Sequence, residues 1–355
     1  MEIDSSSSIS GSREAIEIGR KRQFLFVVLL AVALASAGSH FLVRLLKIET
    51  TTGKPWSVGS SQAPIAAFLG GSSLAGDAVN WNVVAEKTQS RIFGWGVAGS
   101  SPYEWELFQK RAPDAALSII VVSPYDLNEG FLSDFRADVV PFSHAVRSLW
   151  NGEVSWEYAK RNLSQYFLFW VRQVFPTAGR SRGIMGELRD NLSSLVRRSA
   201  PAESDSGPTL ALGSTAAIPE YKRARVSDWS EGKLISKVDS LRASSRGQHA
   251  FRGLKNGALR RMMQFANAKG KAVIIVLPVS PAYTKAFLSP ETLKEFEDSL
   301  GDAARTSPGA QWIRIDKMSE FHSNDYFWDL VHMNAHGQTL ATQSVLKALK
   351  EGKAL

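Results

Sequence analysis

The sequence predicts an α/β fold, a three-layer sandwich in which helices cover both faces of a central parallel sheet. Three short apolar runs without polar alternation predict buried strands, at residues 65–69, 117–122 and 272–277. Helix-like sequence separates them, for example at residues 259–270, directly before the third run. Buried strands interleaved with helices are typical of a parallel sheet. Residues 312–316 predict a weaker last strand.

Length and charge limit the classes of function. The 355 residues are enough for one domain of about 250 to 300 residues with appendages. The formal net charge is +8, and residues 147–261 carry twenty basic against ten acidic side chains, so the excess is regional. The chain has no cysteine, which excludes disulfides and thiolate metal sites.

The N-terminus predicts a membrane anchor. Residues 1–23 form a polar tail, and residues 24–46 begin with an apolar run of about the 20 residues that span a bilayer. More positive charge precedes this run than follows it at Arg44 and Lys47, so the positive-inside rule places the tail in the cytoplasm. A cleaved signal peptide is the alternative, because Ala33-Leu-Ala35 resembles a cleavage site.

Either interpretation exports the rest of the chain. The predicted location is the bacterial inner membrane, with a single span and an extracytoplasmic domain at residues 64–355. Residues 47–63 are rich in Gly, Ser and Thr and predict a linker. Nucleic acid is excluded as a partner, because this topology removes the domain from the cytoplasm.

The predicted elements follow in order. The first strand ends at Gly70-Gly71, and a helix begins near Ser73. Residues 91–93 lead into a glycine-spaced turn over residues 94–101, and a helix starts at Pro102.

Residues 130–258 interrupt this rhythm and predict a helical insertion that forms a cap. Residues 156–175 are aromatic and helical, and residues 199–219 have the composition of a loop or of disorder. The basic charge of the insertion has two interpretations: a solvated face, or contact with anionic lipid headgroups or an acidic glycan.

Two local patterns contain candidate catalytic residues. Ser73 follows a strand and glycines, where it can expose its hydroxyl while its N–H stabilises an oxyanion, although a helix-capping serine has the same pattern. Asp329 precedes His332 by three residues, so the carboxylate can hold Nδ1 and leave Nε2 free to accept a proton. His332 and His336 also have metal-ligand spacing, but Met333 stands where zinc proteases place glutamate, and we predict no metal.

The order of these patterns resembles the SGNH/GDSL family of serine hydrolases and acyltransferases, over residues 64–130 and 258–350. The first family block, Gly-Asp-Ser-Leu, matches residues 71–74 except that Ser72 replaces Asp. The resemblance implies that Ser73 is the nucleophile and that Asp329 and His332 complete the triad.

The other two blocks match less well. In the second, Asn-x-Gly-x-x-Gly, Gly94 replaces Asn while Gly96 and Gly99 remain, which implies Gly99 as an oxyanion donor. In the third, Gly-x-Asn-Asp, residues 123–126 read Ser-Pro-Tyr-Asp. We therefore name Asn128 as a substitute oxyanion donor, and Tyr125 and Asn334 as substrate-binding residues.

The resemblance is greatest to the membrane-anchored branch of alginate O-acetylation and teichoic acid D-alanyl transfer proteins. It implies an acyltransferase or esterase, without a cofactor, that acts on O-acyl groups, in the first place O-acetyl groups, of an envelope or secreted polysaccharide. The chemistry of the site does not separate these two activities, because only the acceptor differs. It also implies a membrane-bound O-acyltransferase partner. The alternative is a non-catalytic subunit that binds polysaccharide or serves as a scaffold.

Overall fold

The structure is a computed structural model that describes residues 8–45, 56–61, 65–97, 99–112, 114–131, 140, 142–151, 156–178, 219–245 and 250–352. The chain divides into two compact units. The first combines Met1–Thr51 with Leu163–Ser204, and the second combines Thr52–Asn162 with Asp205–Leu355.

The second unit contains a mixed, mostly parallel sheet of six strands in the order β1-β3-β2-β4-β5-β6. Strands β2 to β6 run parallel, and β1 pairs antiparallel with β3 at the edge. All six residues of β4 are buried, so both of its faces are covered. The strands are β1 (Trp56–Val58), β2 (Ile65–Ser72), β3 (Arg91–Val97), β4 (Leu117–Val122), β5 (Lys271–Val276) and β6 (Gln311–Arg314).

The predicted strands are confirmed, and the prediction of a purely parallel sheet is wrong at its edge. Strand β1 lies inside the predicted linker at residues 47–63, where three residues are too few to give a hydrophobic pattern. The predicted turn over residues 94–101 begins later, because β3 continues to Val97. Gly94 makes this pairing possible, since a Cβ there would lie 2.5 Å from the ring of Trp56.

Two groups of helices accompany the sheet. In the first group, α9 packs against both α4 and α11. In the second group, α12 packs against α2 and α3. Short 3-10 turns connect β6 to the last helix. The helices of this unit are α2 (Ser73–Ala78), α3 (Trp81–Thr88), α4 (Pro102–Arg111), α5 (Pro124–Leu127), α6 (Phe142–Trp150), α8 (Glu231–Ser244), α9 (Leu254–Lys269), α10 (Pro281–Phe287), α11 (Pro290–Thr306) and α12 (Ala335–Glu351).

The first unit contains α1 (Ser8–Leu45) and most of α7 (Trp156–Val174). Among the described residues, α1 is the helix that is long and apolar enough to cross a membrane, over Gln23–Leu42. Helix α7 confirms the predicted helix at residues 156–175, but from Leu163 onwards it belongs to the unit of α1. The predicted loop at residues 199–219 lies almost wholly outside the described residues.

The strand order sets the position of the candidate site. The chain moves from β2 to β3 on one side and then to β4 on the other, so the topology switches between β2 and β4. In open α/β sheets, ligands bind at the carboxyl ends of the strands beside such a switch. Ser73 directly follows β2, and Ser123 directly follows β4.

Candidate active site

The nucleophile candidate lies at a tight junction between strand and helix. Ser72 ends β2 and caps α2, because its Oγ accepts a hydrogen bond from the N–H of Leu74 at 3.1 Å. A Cβ on Gly71 would overlap the Cβ of Ala75, so glycine lets the helix turn back closely against the strand. Ser73 is therefore the first helical residue, and the capping role belongs to Ser72.

The structure brings the three predicted triad residues together. Ser73 Oγ lies 3.0 Å from His332 Nε2. On the other side of the ring, Nδ1 lies 2.9 Å from Oδ2 and 3.1 Å from Oδ1 of Asp329. When Nδ1 carries the proton and donates it to Asp329, Nε2 can accept the hydroxyl hydrogen of Ser73. This arrangement fits a general base next to a nucleophile.

Backbone hydrogen bonds hold the loop that carries the acid and the base. Asp329 Oδ1 accepts the N–H groups of Val331 at 2.8 Å and His332 at 2.7 Å, which orients the carboxylate. Leu330 O accepts both the N–H and the hydroxyl of Ser280, at 3.1 and 2.8 Å, and so ties the loop to the segment after β5.

Helix α12 joins the two halves of the site. Gln338 Nε2 donates to the carbonyl of Gly76 at 3.0 Å, and Thr342 Oγ1 accepts the N–H of Asn80 at 2.9 Å. The helix that follows His332 is thereby hydrogen-bonded to the elements that follow Ser73. This contact spans more than 250 positions of sequence and depends on the tertiary fold.

Burial and charge act in opposite directions on the acid and the base. Burial opposes protonation of His332, but the hydrogen bond and charge of Asp329, with the charges of Asp77 and Asp126, outweigh it and raise its pKa. Burial also opposes ionisation of Asp329, but the hydrogen bonds and charge of His332 and the N–H of Val331 outweigh it and lower its pKa. The site therefore stabilises an imidazolium beside a carboxylate.

A second buried carboxylate lies behind the nucleophile. Ser123 Oγ donates to Asp126 Oδ2 at 2.8 Å, and the Ser72 side chain also hydrogen-bonds the Asp126 carboxylate. Burial raises the pKa of Asp126, and these hydrogen bonds with the charge of Lys255 lower it only partly. Asp126 thus connects the end of β4 to the residue that caps the helix of Ser73. The third block of the sequence contains this aspartate, but no role was predicted for it.

A buried lysine accompanies this carboxylate. Lys255 Nζ donates to the carbonyls of Asn128 at 2.9 Å and Phe131 at 3.2 Å. Burial lowers the pKa of Lys255 to about 8, although the charges of Glu129 and Asp126 oppose the shift. No pattern of charge or spacing in the sequence marks this lysine as buried.

The other predicted residues of the site have different surroundings. Tyr125 is half-buried against Phe131, and burial raises its pKa, with further contributions from the charges of Asp126 and Asp329. Gly99 is exposed with a φ of +71°, a left-handed conformation that favours glycine. Its role as an oxyanion donor stays a prediction.

Asn128 and Asn334 have structural roles instead of open amides. Asn128 is fully buried, its Oδ1 accepts the N–H of Gly130 at 2.9 Å, and its Nδ2 donates to Tyr283 Oη at 3.4 Å. Asn334 is 3% exposed and caps α12 by accepting the N–H of Gly337 at 3.0 Å. Its Nδ2 donates to the carbonyl of Asp325 at 2.6 Å. Both amides are therefore engaged within the fold, and the oxyanion role of Asn128 and the substrate-binding role of Asn334 stay predictions.

The ring of His336 packs against that of Tyr326, with centroids 5.0 Å apart and the planes tilted by 43°. Among the described residues, no group of three His, Cys, Asp or Glu side chains is placed to hold a metal ion.

Aromatic side chains border the catalytic base, and the sequence did not predict them. The ring of Trp328 stacks on that of His332, with centroids 5.1 Å apart and planes at 19°. Tyr221 meets Trp328 edge to face at 5.1 Å and is 39% exposed. The Nε1–H of Trp328 is buried and has no hydrogen-bond partner within the part of the chain that the structure describes.

Residues 219–228, near the end of the predicted insertion, pack beside the aromatic side chains that border His332. Lys222 Nζ forms an ion pair with Asp77 Oδ1 at 2.6 Å, and both side chains are largely buried. Val226 N donates to the carbonyl of Phe327 at 2.9 Å. Residues 219–228 therefore contact both α2 and the loop that carries Asp329 and His332.

No protein-family model matches this sequence, and no curated protein has significant similarity to it.

Proposed function

We propose that this protein is a membrane-anchored, extracytoplasmic serine acyltransferase or esterase of the SGNH/GDSL type. Its substrates would be O-acyl groups, in the first place O-acetyl groups, of an envelope or secreted polysaccharide. The observation that carries the proposal is the continuous hydrogen-bonded chain from Ser73 through His332 to Asp329. The order of the strands and the resemblance of three sequence blocks to the SGNH/GDSL family support the proposal. Because the second and third blocks differ from the family pattern, membership of the family is itself proposed.

The mechanism begins with activation of the nucleophile. His332 Nε2 accepts the proton of Ser73 Oγ as Oγ bonds to the acyl carbonyl carbon, and the carbonyl oxygen becomes an oxyanion. The N–H groups of Ser73 and Gly99 would stabilise this oxyanion. Asp329 keeps the proton on Nδ1 and stabilises the positive ring.

Three proton transfers complete the reaction. The imidazolium returns its proton to the departing alcohol oxygen as the bond to the acyl carbon breaks, which leaves an acyl-Ser73. His332 then accepts a proton from a sugar hydroxyl or from water as that oxygen attacks the acyl carbon, and the imidazolium returns this proton to Ser73 Oγ as the acyl–serine bond breaks. The first acceptor defines a transferase and the second an esterase.

The border of the site favours a carbohydrate acceptor. An exposed Tyr221, which packs edge to face on the Trp328 ring, provides an amphipathic aromatic surface against which a sugar ring can pack. A membrane-bound O-acyltransferase partner would supply acyl groups from across the membrane. The candidate span of α1 would keep the enzyme beside that source, in the inner membrane of a bacterium.

The enzyme proposal is tested with the purified full-length protein and an aryl acetate. We expect release of the phenol, loss of that activity in Ser73→Ala, and faster release with an oligosaccharide acceptor if transfer dominates. Ser72→Ala is the matched neighbour, since it removes a cap and leaves the nucleophile. Equal activity in wild type and Ser73→Ala would exclude the serine mechanism.

The altered third block supports a second candidate, a non-catalytic subunit that binds the polysaccharide. Ser123 and Tyr125 occupy positions that the family fills with Gly and Asn. Polymer acetylation in cells separates the two proposals. If Ser73→Ala accumulates normally and acetylation persists, the binding role is favoured.

A further inference from the structure

Helix α7 has an exposed apolar stripe. Leu163, Phe167, Trp170 and Val174 are 42%, 67%, 50% and 43% exposed. Their spacing of four, three and four residues places them on one face of the helix, about 16 Å long at 1.5 Å per residue. Four large apolar side chains in one exposed row are costly in water and mark an interaction surface.

The end of this stripe is hydrogen-bonded to the candidate membrane span. Ser36 Oγ donates to the carbonyl of Val174 at 2.6 Å. Ser39 Oγ lies 2.7 Å from Thr177 Oγ1 and accepts the N–H of Thr177 at 3.0 Å. Ser39 is 8% exposed, whereas most of its neighbours in the span are exposed.

These contacts set the depth of α7 along α1. Ser36 and Ser39 lie inside Gln23–Leu42, six and three residues before its end. At 1.5 Å per residue they are about 9 and 5 Å within the apolar stretch, on the side from which the rest of the chain continues. The C-terminal end of α7 therefore reaches the depth at which a bilayer changes from acyl chains to headgroups.

The backbone at this end has the hydrogen bonds that an apolar medium requires. The carbonyl of Val174, which has no partner within its own helix, is satisfied by Ser36. Arg172 Nε donates to the carbonyl of Ala178 at 2.9 Å, and Phe175 N donates to Val171 O at 2.7 Å. Aromatic and basic residues such as Trp170 and Arg172 are enriched where membrane meets water.

We propose that α7 from Leu163 to Val174 lies in the outer interface of the lipid bilayer, with its stripe among the acyl chains. The protein then contacts the membrane through a second helix besides α1. This inference rests on the membrane anchoring in the proposed function and does not depend on the acyl chemistry. Lipid is the occupant that the contacts favour, because the stripe ends against a helix that is itself apolar enough to span a bilayer.

Single-cysteine labelling tests the proposal, because the native chain contains no cysteine. Full-length Phe167→Cys and Val174→Cys, labelled with an environment-sensitive fluorophore, are reconstituted in vesicles of phosphatidylglycerol and brominated phosphatidylcholine. Gln165→Cys is the matched control, exposed on the opposite side of the same helix. We expect brominated lipid to remove most of the fluorescence at 167 and 174, and iodide in the buffer to quench mainly the label at 165.

Two outcomes overturn the proposal. Equal quenching by iodide at 165 and 167 means that the stripe is in water. Protection of 167 from both iodide and brominated lipid means that protein covers the stripe, either a second copy or another chain. Val28→Cys in the span reports on the anchor: if lipid reaches 28 and not 167, anchoring holds and the inference on α7 alone fails. If brominated lipid quenches the label neither at 28 nor at 167, both the membrane anchoring and the inference on α7 are wrong. The Ser73→Ala assay tests the acyl chemistry independently of this result.

Discussion

The chemistry of the site depends on the protonation of His332. Burial favours the neutral ring, and three carboxylates, Asp329, Asp77 and Asp126, favour the charged one. The balance raises the pKa of His332, so the ring accepts a proton from Ser73 more readily than an isolated histidine would. A general base works only while it is neutral, so the proposed activity is expected to fall at low pH.

The pH profile of the aryl acetate reaction follows from this balance. We expect kcat/KM to fall as pH drops through the raised pKa of His332, with the midpoint above the ordinary value of about 6.5. Asp329→Asn removes the hydrogen bond and the charge that raise the pKa, so the midpoint moves to lower pH. The rate falls roughly a thousandfold to ten-thousandfold, because the tautomer is no longer held. A midpoint that Asp329→Asn leaves unchanged would contradict this assignment.

Asp126 is predicted to aid activity at a cost to stability. Burial raises the pKa of Asp126 in the folded protein above its value in the unfolded chain. The contribution of Asp126 to stability is therefore fully present below the unfolded-state pKa, and it is lost as the pH rises through the folded-state pKa. Above the raised pKa the ionised carboxylate lowers the free energy of unfolding relative to the protonated form. Asp126→Asn, which cannot ionise, is expected to keep or increase the free energy of unfolding measured at alkaline pH.

The same variant is expected to lower kcat for the aryl acetate by about tenfold or more, because Ser72 and the helix of Ser73 lose their anchor. The measurements are chemical denaturation and steady-state kinetics of the full-length protein. The His332 midpoint should also move to lower pH, a change that a structural defect alone would not produce. Joint loss of stability and activity would contradict the positioning role.

At the level of elements, the junction of β2 and α2 depends on a small residue. Gly71→Ala places a Cβ against Ala75, and overpacking of this kind costs about 1 to 3 kcal/mol. Gly301→Ala is the matched control in the middle of α11, where a Cβ meets only Arg305 Nη1 at 3.8 Å. It should stabilise the protein by about 0.5 to 1 kcal/mol. Equal effects of the two variants in chemical denaturation would contradict the close-packing argument.

The sheet edge shows how a short strand forms without a hydrophobic pattern. Residues Trp56–Val58 pair with β3 because the indole of Trp56 occupies the space over Gly94. The strand extends the parallel sheet in the antiparallel sense and covers the outer side of β3. A local pattern of three residues does not distinguish such a strand from a linker.

At the level of the whole molecule, the orientation of the chain in the membrane is testable. Four Lys or Arg residues precede the span of α1 and two, Arg44 and Lys47, directly follow it, so the positive-inside rule predicts that the second unit lies outside the cytoplasm. Alkaline phosphatase, which folds only outside the cytoplasm, should be active when fused after Leu355. A reporter that folds only in the cytoplasm should be inactive at the same position. The reverse result would place Ser73 in the cytoplasm and contradict the proposed substrate.

The division into two units also changes the interpretation of the insertion. Residues 163–204 belong with the N-terminal helix, whereas residues 219–228 contact the loop of Asp329 and His332. The predicted cap therefore includes segments with two different surroundings. Residues 219–228 border the candidate catalytic residues.

The sequence alone determined the elements that local physics controls. Continuous apolar runs predicted β2, β4 and β5, because a strand buried on both faces cannot alternate. An apolar run of bilayer length predicted the span of α1. The spacing of Asp329 and His332 predicted their contact, since three residues suffice to place a carboxylate beside Nδ1.

Only the tertiary structure decided what depends on residues far apart in the chain. The fold brought Ser73 to His332 across 259 positions, placed Asp126 behind Ser72, and stacked Trp328 on the base. It also used the amides of Asn128 and Asn334 for hydrogen bonds within the fold, although their sequence positions suited a site. The physical reason is that burial and hydrogen-bond partners are set by packing between elements, which no local pattern of residues specifies.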